Sequence, residues 1–144
     1  MVNDSARPVV ARKRSRASAK AAGARHEIDV AKYLAVHLDD RIERRVRNGN
    51  KDRGDLGGIR MSPALGGGRV VAELKNVSGL HLTGWYKEAC IEAMNDDAAL
   101  GVLIHKAHGV SAPGAQWVTM TVDDLIVLLC GHRPTLIGEI DDAI

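Results

Sequence analysis

The chain has 144 residues and a mass of 15.5 kDa, of which 45% are hydrophobic and 26% are charged residues. These values are typical of one globular domain with a single core. No apolar run reaches the length of a transmembrane helix, so we expect no membrane span. Cys90 and Cys130 lie far apart and match neither a zinc-binding nor a redox spacing. We therefore expect no disulfide framework and a reducing, cytoplasmic location.

The net charge of +2 conceals an asymmetry between the N-terminus and the remainder of the chain. Residues 1–25 carry seven basic residues against one acidic residue, or +6, whereas the remainder carries thirteen basic and seventeen acidic residues, or −4. A basic arm on an acidic body predicts a polyanionic partner, with a merely solvated arm as the alternative. The arm has no apolar segment of the kind found in secretory signals. We expect a disordered arm over residues 1–22, a domain over 23–131 and a C-terminal tail over 132–144.

Hydrophobic periodicity predicts elements in the order α-β-β-β-α-β-β-α. In chain order they are a helix at 24–38, strands at 41–47, 55–61 and 69–75, a helix at 83–99, strands at 101–106 and 116–122, and a last helix that ends near Cys130. Thr121 and Asp124 have the spacing of a capping box that would start this last helix. The order predicts an α/β fold in which a mixed sheet is flanked by helices.

A carboxylate and an ammonium group interrupt the third predicted strand, in the segment Glu73-Leu74-Lys75. Alternate residues of a strand share a face, so Glu73 and Lys75 point to one side and Leu74 to the other. Burial of both charges is costly unless they are paired or functional. A plain ion pair on an edge strand is the alternative interpretation.

Two further carboxylates precede this strand at positions where the predicted elements could bring them towards Glu73. Asp55 follows Gly54 at the start of the second strand, 18 residues before Glu73, so an antiparallel hairpin would place the two carboxylates together. Glu27 lies at the border of the apolar stripe of the first helix, and we expect it to face the sheet. Considered alone, Asp55 could be a turn residue and Glu27 a favourable charge near the start of a helix.

A pair of carboxylates with a peptide carbonyl suits a hard cation such as Mg²⁺, which prefers oxygen ligands. Such an ion can orient a water molecule, lower its pKa and stabilise the charge on a phosphate under attack. Lys75, beside these carboxylates, could position or deprotonate that water, or offset the phosphate charge.

The succession of Asp55, a hairpin and Glu73-Leu74-Lys75, after a helical Glu27, resembles the PD-(D/E)xK nuclease superfamily. Glycine stands where the motif has proline. Within the superfamily, the early helical glutamate is most similar to that of archaeal-type Holliday junction resolvases and their phage relatives. The resemblance covers residues 24–129. The segments 53–56, 71–76 and 98–106 also resemble small resolvases that phages and prophages encode.

The resemblance implies a restriction-endonuclease-like core and a Mg²⁺-dependent endodeoxyribonuclease, in which Mn²⁺ substitutes for Mg²⁺. Asp55 and Glu73 would bind the metal together with the backbone carbonyl of Leu74. Lys75 would be the catalytic lysine, and Glu27 the first-helix acid, bound to the metal through water or directly. The implied substrate is branched DNA, such as a four-way junction. Because a junction is two-fold symmetric, we expect a homodimer, in the host cytoplasm if the chain is phage-encoded.

Basic and polar residues close to these positions are predicted to bind DNA phosphates. They are Arg25, Arg47, Lys51, Arg53, Asn76 and Lys106, with Arg12, Lys13 and Arg14 of the arm. For any single one, a solvated surface position is the alternative. Two alternative functions stay open: a restriction-type or repair-type endonuclease of the same superfamily, and a non-catalytic DNA-binding module that keeps the fold.

Overall fold

A five-stranded mixed sheet and three surrounding helices form residues 13–134, the part of the chain that the computed structural model describes. The elements are α1 (Arg16–His37), β1 (Glu43–Arg44), β2 (Leu56–Gly57), β3 (Val70–Lys75), α2 (Leu82–Asn95), β4 (Leu100–His105), β5 (Trp117–Thr119) and α3 (Val122–Cys130). The sheet order is β1-β2-β3-β4-β5, in which β3 and β4 are parallel and the other neighbours antiparallel. The predicted element order and the α/β class are confirmed.

The two central strands, β3 and β4, are buried along nearly their whole length, as their aliphatic sequences predict. One face of the sheet forms the main core with α1 and α3. The buried residues of this core include Val30, Ala31, Val70, Ala72, Leu74, Leu100, Val102, Ile104 and Val127. The opposite face carries Glu73 and lies under α2. At Gly101 the helix is so close that a Cβ would lie 2.3 Å from the carbonyl oxygen of Ala89.

Helix α1 begins at Arg16, eight residues before the predicted start at Ala24. The hydroxyl of Ser15 caps its first turn by accepting a backbone N–H hydrogen bond, which favours initiation there. Residues 16–22, which the sequence analysis assigned to the disordered arm, therefore belong to the helix. Residues 1–12 and 135–144 lie outside the described residues.

The predicted outer strands, 41–47, 55–61 and 116–122, are in the right places but too long. In the structure β1 and β2 have two residues each and β5 has three. Gly58 ends β2 because its φ of 84° lies in the left-handed region. A Cβ at this glycine would also lie 2.6 Å from the carbonyl oxygen of Arg41, so the chain can approach this closely only at glycine.

The ends of α2 and the start of α3 follow local backbone chemistry. α2 stops at Asn95, four residues before its predicted end, and Asp97 just beyond it has a positive φ of 49°. α3 starts with the predicted capping box, in which Thr121 and Asp124 bond to each other's backbone N–H. Among residues 13–134, no helix combines the length and the apolar character needed to cross a bilayer.

Candidate active site

Asp55 is attached to the edge of β3 by two hydrogen bonds that involve the backbone of that strand. Its N–H donates to the carbonyl of Ala72 at 2.9 Å, and its Oδ2 accepts from the N–H of Leu74 at 2.8 Å. The N–H and C=O of a strand residue point to the same side of the strand. The Leu74 carbonyl therefore faces the same edge of β3 as the Asp55 carboxylate.

Gly54 explains why this chain departs from the proline of the motif it resembles. Its φ is 87°, whereas proline is restricted to about −65°. A Cβ at Gly54 would also lie 2.6 Å from the side chain of Val71. The turn that presents Asp55 to β3 therefore requires glycine.

The carboxyl groups of Asp55 and Glu73 are neighbours, and both are buried, with 3% and 5% of each residue exposed. Burial, followed by the negative charge of Glu73, raises the pKa of Asp55 to about 6, against the lowering effect of the Leu74 hydrogen bond and of Arg47. The hairpin predicted to bring these residues together is present, since β2 and β3 pair in antiparallel fashion. Two such groups either share a proton or associate with a cation.

Lys75 lies on the same face as Glu73, as its alternate position in the strand predicts. Its Nζ is 2.7 Å from Oε1 of Glu73 and 2.6 Å from Oε2 of Glu88, which is on α2. Burial alone would lower the pKa of Lys75, but the hydrogen bonds with Glu73 and Glu88 outweigh it, and the pKa is raised. In this arrangement Lys75 is a cation and a hydrogen-bond donor, not a general base.

Glu92 of α2 is a candidate site residue that the sequence analysis missed. Its Oε2 is buried and has no hydrogen-bond partner among the described residues. Burial, followed by the negative charge of Glu73, raises the pKa of Glu92 to about 9. The signal used for Glu27 applies here too, because Glu92 borders the buried stripe of Ala89 and Ala93.

The carboxyl groups of Asp55, Glu73 and Glu92 lie close enough to influence one another's charge. They do not surround a common point: within residues 13–134, no three His, Cys, Asp or Glu side chains are grouped so as to hold a metal ion. The set implied by the resemblance needs fewer side chains, namely Asp55 and Glu73 with the carbonyl of Leu74. A Mg²⁺ ion keeps several waters as its remaining ligands.

Glu27 is buried as predicted, but its carboxylate is engaged by arginines. Its Oε2 is 2.5 Å from Nε of Arg44, and its Oε1 is 3.5 Å from Nη2 of Arg47. The same Nη2 lies 3.5 Å from Oδ1 of Asp55. Arg47 thus connects Glu27 to the Asp55–Glu73 pair. Both carboxylate oxygens of Glu27 lie next to arginines, and its role as a metal ligand stays a prediction.

Four of the predicted DNA-binding residues line one cleft of about 210 Å³ between α1 and the β4–β5 connection, here called the α1 cleft. These residues are Arg14, Arg25, Asn76 and Lys106. Asn76 directly follows Lys75, and its Nδ2 donates to the carbonyl of Ala22 at 3.3 Å. The cleft therefore adjoins the C-terminal end of β3, the strand that carries Glu73 and Lys75.

The other predicted DNA-binding residues lie elsewhere. Arg47 and Arg53 line a shallow depression together with Arg45. Lys51 ends an exposed 3₁₀ turn, and Lys13 is exposed ahead of α1. Arg12 lies outside the described residues.

Comparison with known proteins adds no family assignment. No protein-family model matches the chain, and no significant match is found among curated proteins or among solved structures. The functional interpretation therefore depends on the residues of the site and on the resemblance of their pattern.

Proposed function

We propose that the protein is a metal-dependent endodeoxyribonuclease that cuts branched DNA. The observation that carries this proposal is the buried pair Asp55 and Glu73 with the Lys75 ammonium 2.7 Å from Glu73. A stable fold gains little from two adjacent buried carboxyl groups, whose charges repel each other. Perturbed carboxyl groups of this kind cluster at sites of function.

The donor set at this edge fits a hard divalent cation such as Mg²⁺ or Mn²⁺. Asp55 and Glu73 offer carboxylate oxygens, and the Leu74 carbonyl faces the same edge. Burial, followed by the negative charge of Glu73, raises the pKa of Asp55, and a bound cation would offset the cost of ionising both carboxyl groups. A bound cation would supply Lewis-acid stabilisation of the phosphate and a lowered pKa for an attacking water.

The side chains around this pair supply orientation and positive charge. Lys75 can donate to a phosphate oxygen, because its partner Glu88 is 51% exposed on the solvent side and can be exchanged for substrate. Arg47 is exposed between Glu27 and Asp55 and can contact an adjacent phosphate. Arg44 pairs with Oε2 of Glu27 and so holds this carboxylate where its Oε1 can pair with Arg47.

The finer assignments belong to the same proposal. The antiparallel hairpin with Asp55 and Glu73, preceded by a helix with a buried glutamate, is compatible with a restriction-endonuclease-like core. The two-fold symmetry of a junction favours a homodimer. Exposed apolar residues of β5 and α3 are candidates for the contact between the two copies of the dimer. They are Trp117, Val122, Leu125 and Leu129. We expect the dimer to act in the cytoplasm.

A cleavage panel tests the proposal. Four-way junction, flap and linear duplex of matched sequence are incubated with Mg²⁺, Mn²⁺ or EDTA and with wild type, Asp55→Asn, Glu73→Ala or Asp123→Asn. Asp123 is an exposed carboxylate of α3, so Asp123→Asn is the control. We expect wild type and control to cut the junction only with metal, and the two site variants to be inactive although folded by circular dichroism. A Glu73→Ala protein that cuts at the wild-type rate would refute the proposal.

A non-catalytic DNA-binding module gives a different result in the same panel. Such a protein would bind the junction with wild-type Asp55 and Glu73 in place, yet cut none of the substrates in either metal. Isothermal titration calorimetry with Mg²⁺ in the absence of DNA separates the two functions further. A nuclease should bind the metal, whereas a module that retains only the fold is expected to bind none.

A further inference from the structure

We propose that the α1 cleft is a subsite for one phosphate group of the DNA, separate from the Asp55–Glu73 pair. This inference rests on the proposed function, and it identifies the part of the substrate that this surface holds. The subsite would position the strand through a phosphate other than the one that is cut.

The first observation is the unneutralised positive charge of the cleft. Arg14, Arg25 and Lys106 line it, against the single carboxylate of Asp29. The ion pairs within residues 13–134 join other side chains, such as Arg44 with Glu27, so none of these three cations is paired with a described carboxylate. Positive charges gathered around a concave surface attract an anion.

The second observation is a buried polar atom without a partner. His26 lines the cleft and is 5% exposed, and its Nε2 forms no hydrogen bond with any described residue. Buried polar groups are nearly always hydrogen-bonded, so an orphan of this kind needs an explanation. A water molecule that accompanies the phosphate would satisfy the nitrogen.

The third observation is that the walls of the cleft are preformed. The side chain of Gln116 accepts from the N–H of Ala107 at 2.8 Å and donates to the carbonyls of Val110 and Ala112 at 3.1 and 2.8 Å. These bonds fix the β4–β5 connection, which forms one wall. A site held open before the ligand arrives loses less entropy on binding.

The size and chemistry of the cleft favour a phosphate over a larger ligand. A volume of about 210 Å³ falls below the roughly 300–1,000 Å³ of pockets for drug-sized molecules. Guanidinium and ammonium groups with neighbouring amide and hydroxyl donors, here Asn76 and Ser111, match the oxygens of a phosphate. The phosphate could belong to the internal backbone or to a strand terminus, and the experiment distinguishes the two.

The test begins with inorganic phosphate, in EDTA and without DNA, so that neither metal nor cleavage enters the measurement. NMR titration of the full chain should give saturable shifts at Asn76, Lys106 and Ser111. Arg25→Ala and Lys106→Ala should weaken binding at least tenfold, whereas Lys87→Ala, which removes an exposed charge of α2, should leave it unchanged. Unchanged affinity in both cleft variants, with thermal melting showing that they fold, would overturn the inference.

The second stage uses oligonucleotides with and without a 5′-phosphate and the Glu73→Ala protein. If the cleft takes a terminal phosphate, removal of that group weakens binding as much as Lys106→Ala does. If it takes an internal phosphate, both oligonucleotides bind alike, and Lys106→Ala weakens both at least fivefold. A Lys106→Ala effect on neither oligonucleotide would contradict the inference. Phosphate binding here without DNA cleavage would remove the nuclease proposal alone.

Discussion

The carboxylate of Asp55 accepts a hydrogen bond from the N–H of Leu74 at 2.8 Å, although 19 residues separate them along the chain. The bond ties an acid ahead of β2 to the strand that carries Glu73 and Lys75. The backbone of β3 thus holds one carboxylate while the side chain next to Leu74 supplies the other. The arrangement places two acidic side chains side by side in a buried position, which lowers the free energy of unfolding when both are charged.

Asp55→Asn is expected to stabilise the metal-free protein at alkaline pH. The pKa of Asp55 is raised to about 6 in the folded state, above the unfolded value of about 3.9. The folded protein therefore binds the extra proton, and stability falls as pH rises from about 4 to 6. The amide keeps the Leu74 hydrogen bond and removes the repulsion with Glu73, which is worth on the order of 1–3 kcal/mol. Urea unfolding at pH 8 in EDTA measures this, and a clear loss of stability would contradict it.

Mg²⁺ affinity is expected to rise as pH increases through about 6. The ligands must be deprotonated to bind a cation, and burial with the charge of Glu73 raises the pKa of Asp55 to about 6. Below that pH, protons compete with the metal, and above it this contribution levels off. Isothermal titration calorimetry between pH 5 and 8 measures the trend, with Asp123→Asn as the control. Affinity that is constant between pH 5 and 7 would show that Asp55 is not a ligand.

Lys75→Ala is expected to lower the cleavage rate by about 10²–10³-fold while leaving DNA affinity within a few-fold of wild type. Its ammonium is expected to stabilise charge that develops on the phosphate during the reaction, and such contacts contribute mainly to kcat. Single-turnover cleavage of the junction separates the rate from binding. Lys87→Ala is the matched control, since it removes an exposed lysine from α2. Loss of affinity with an unchanged rate would make Lys75 a binding residue only.

Local sequence chemistry was sufficient to predict the parts of the fold and site that short-range patterns determine. The alternation in β3 indicates that Glu73 and Lys75 share a face, and they form an ion pair at 2.7 Å. The spacing of Thr121 and Asp124 predicts the capping box of α3. Each of these features depends on residues within a few positions of each other, where backbone geometry leaves few choices.

Features that depend on how the elements cross were not predictable. Glu92 approaches Glu73 because α2 packs closely on β4 at Gly101. The separation between this helix and this strand depends on residues of both elements. Arg47 reaches both Glu27 and Asp55 only once β1 lies beside β2 and α1 lies against the sheet. The sequence identified Glu27, Asp55 and Glu73 as candidates but not Glu92, and only the tertiary arrangement shows that Arg47 lies between Glu27 and Asp55.

Asp124→Asn is expected to destabilise the protein by about 2–4 kcal/mol, because it removes the charge at the centre of a buried network. Asp124 is 1% exposed and accepts from the Tyr86 hydroxyl, from Nη2 of Arg133 at 2.7 Å and from the N–H of Thr121 at 3.3 Å. Burial alone would raise the pKa of Asp124, but the hydrogen bonds from Tyr86, Arg133 and Thr121 outweigh it and lower the pKa. This contribution is therefore present above the unfolded pKa and is lost as pH falls through the folded value.

Urea unfolding at pH 7 and pH 3 measures that contribution. The wild type should lose more stability between the two pH values than Asp124→Asn does, and the difference between the proteins should be larger at pH 7. Asp123→Asn is the control, because Asp123 is the exposed neighbour of Asp124 in the same helical turn. Equal stability of the two variants at pH 7 would show that the contacts of Tyr86 and Arg133 with Asp124 contribute nothing to holding α2, α3 and the following segment together.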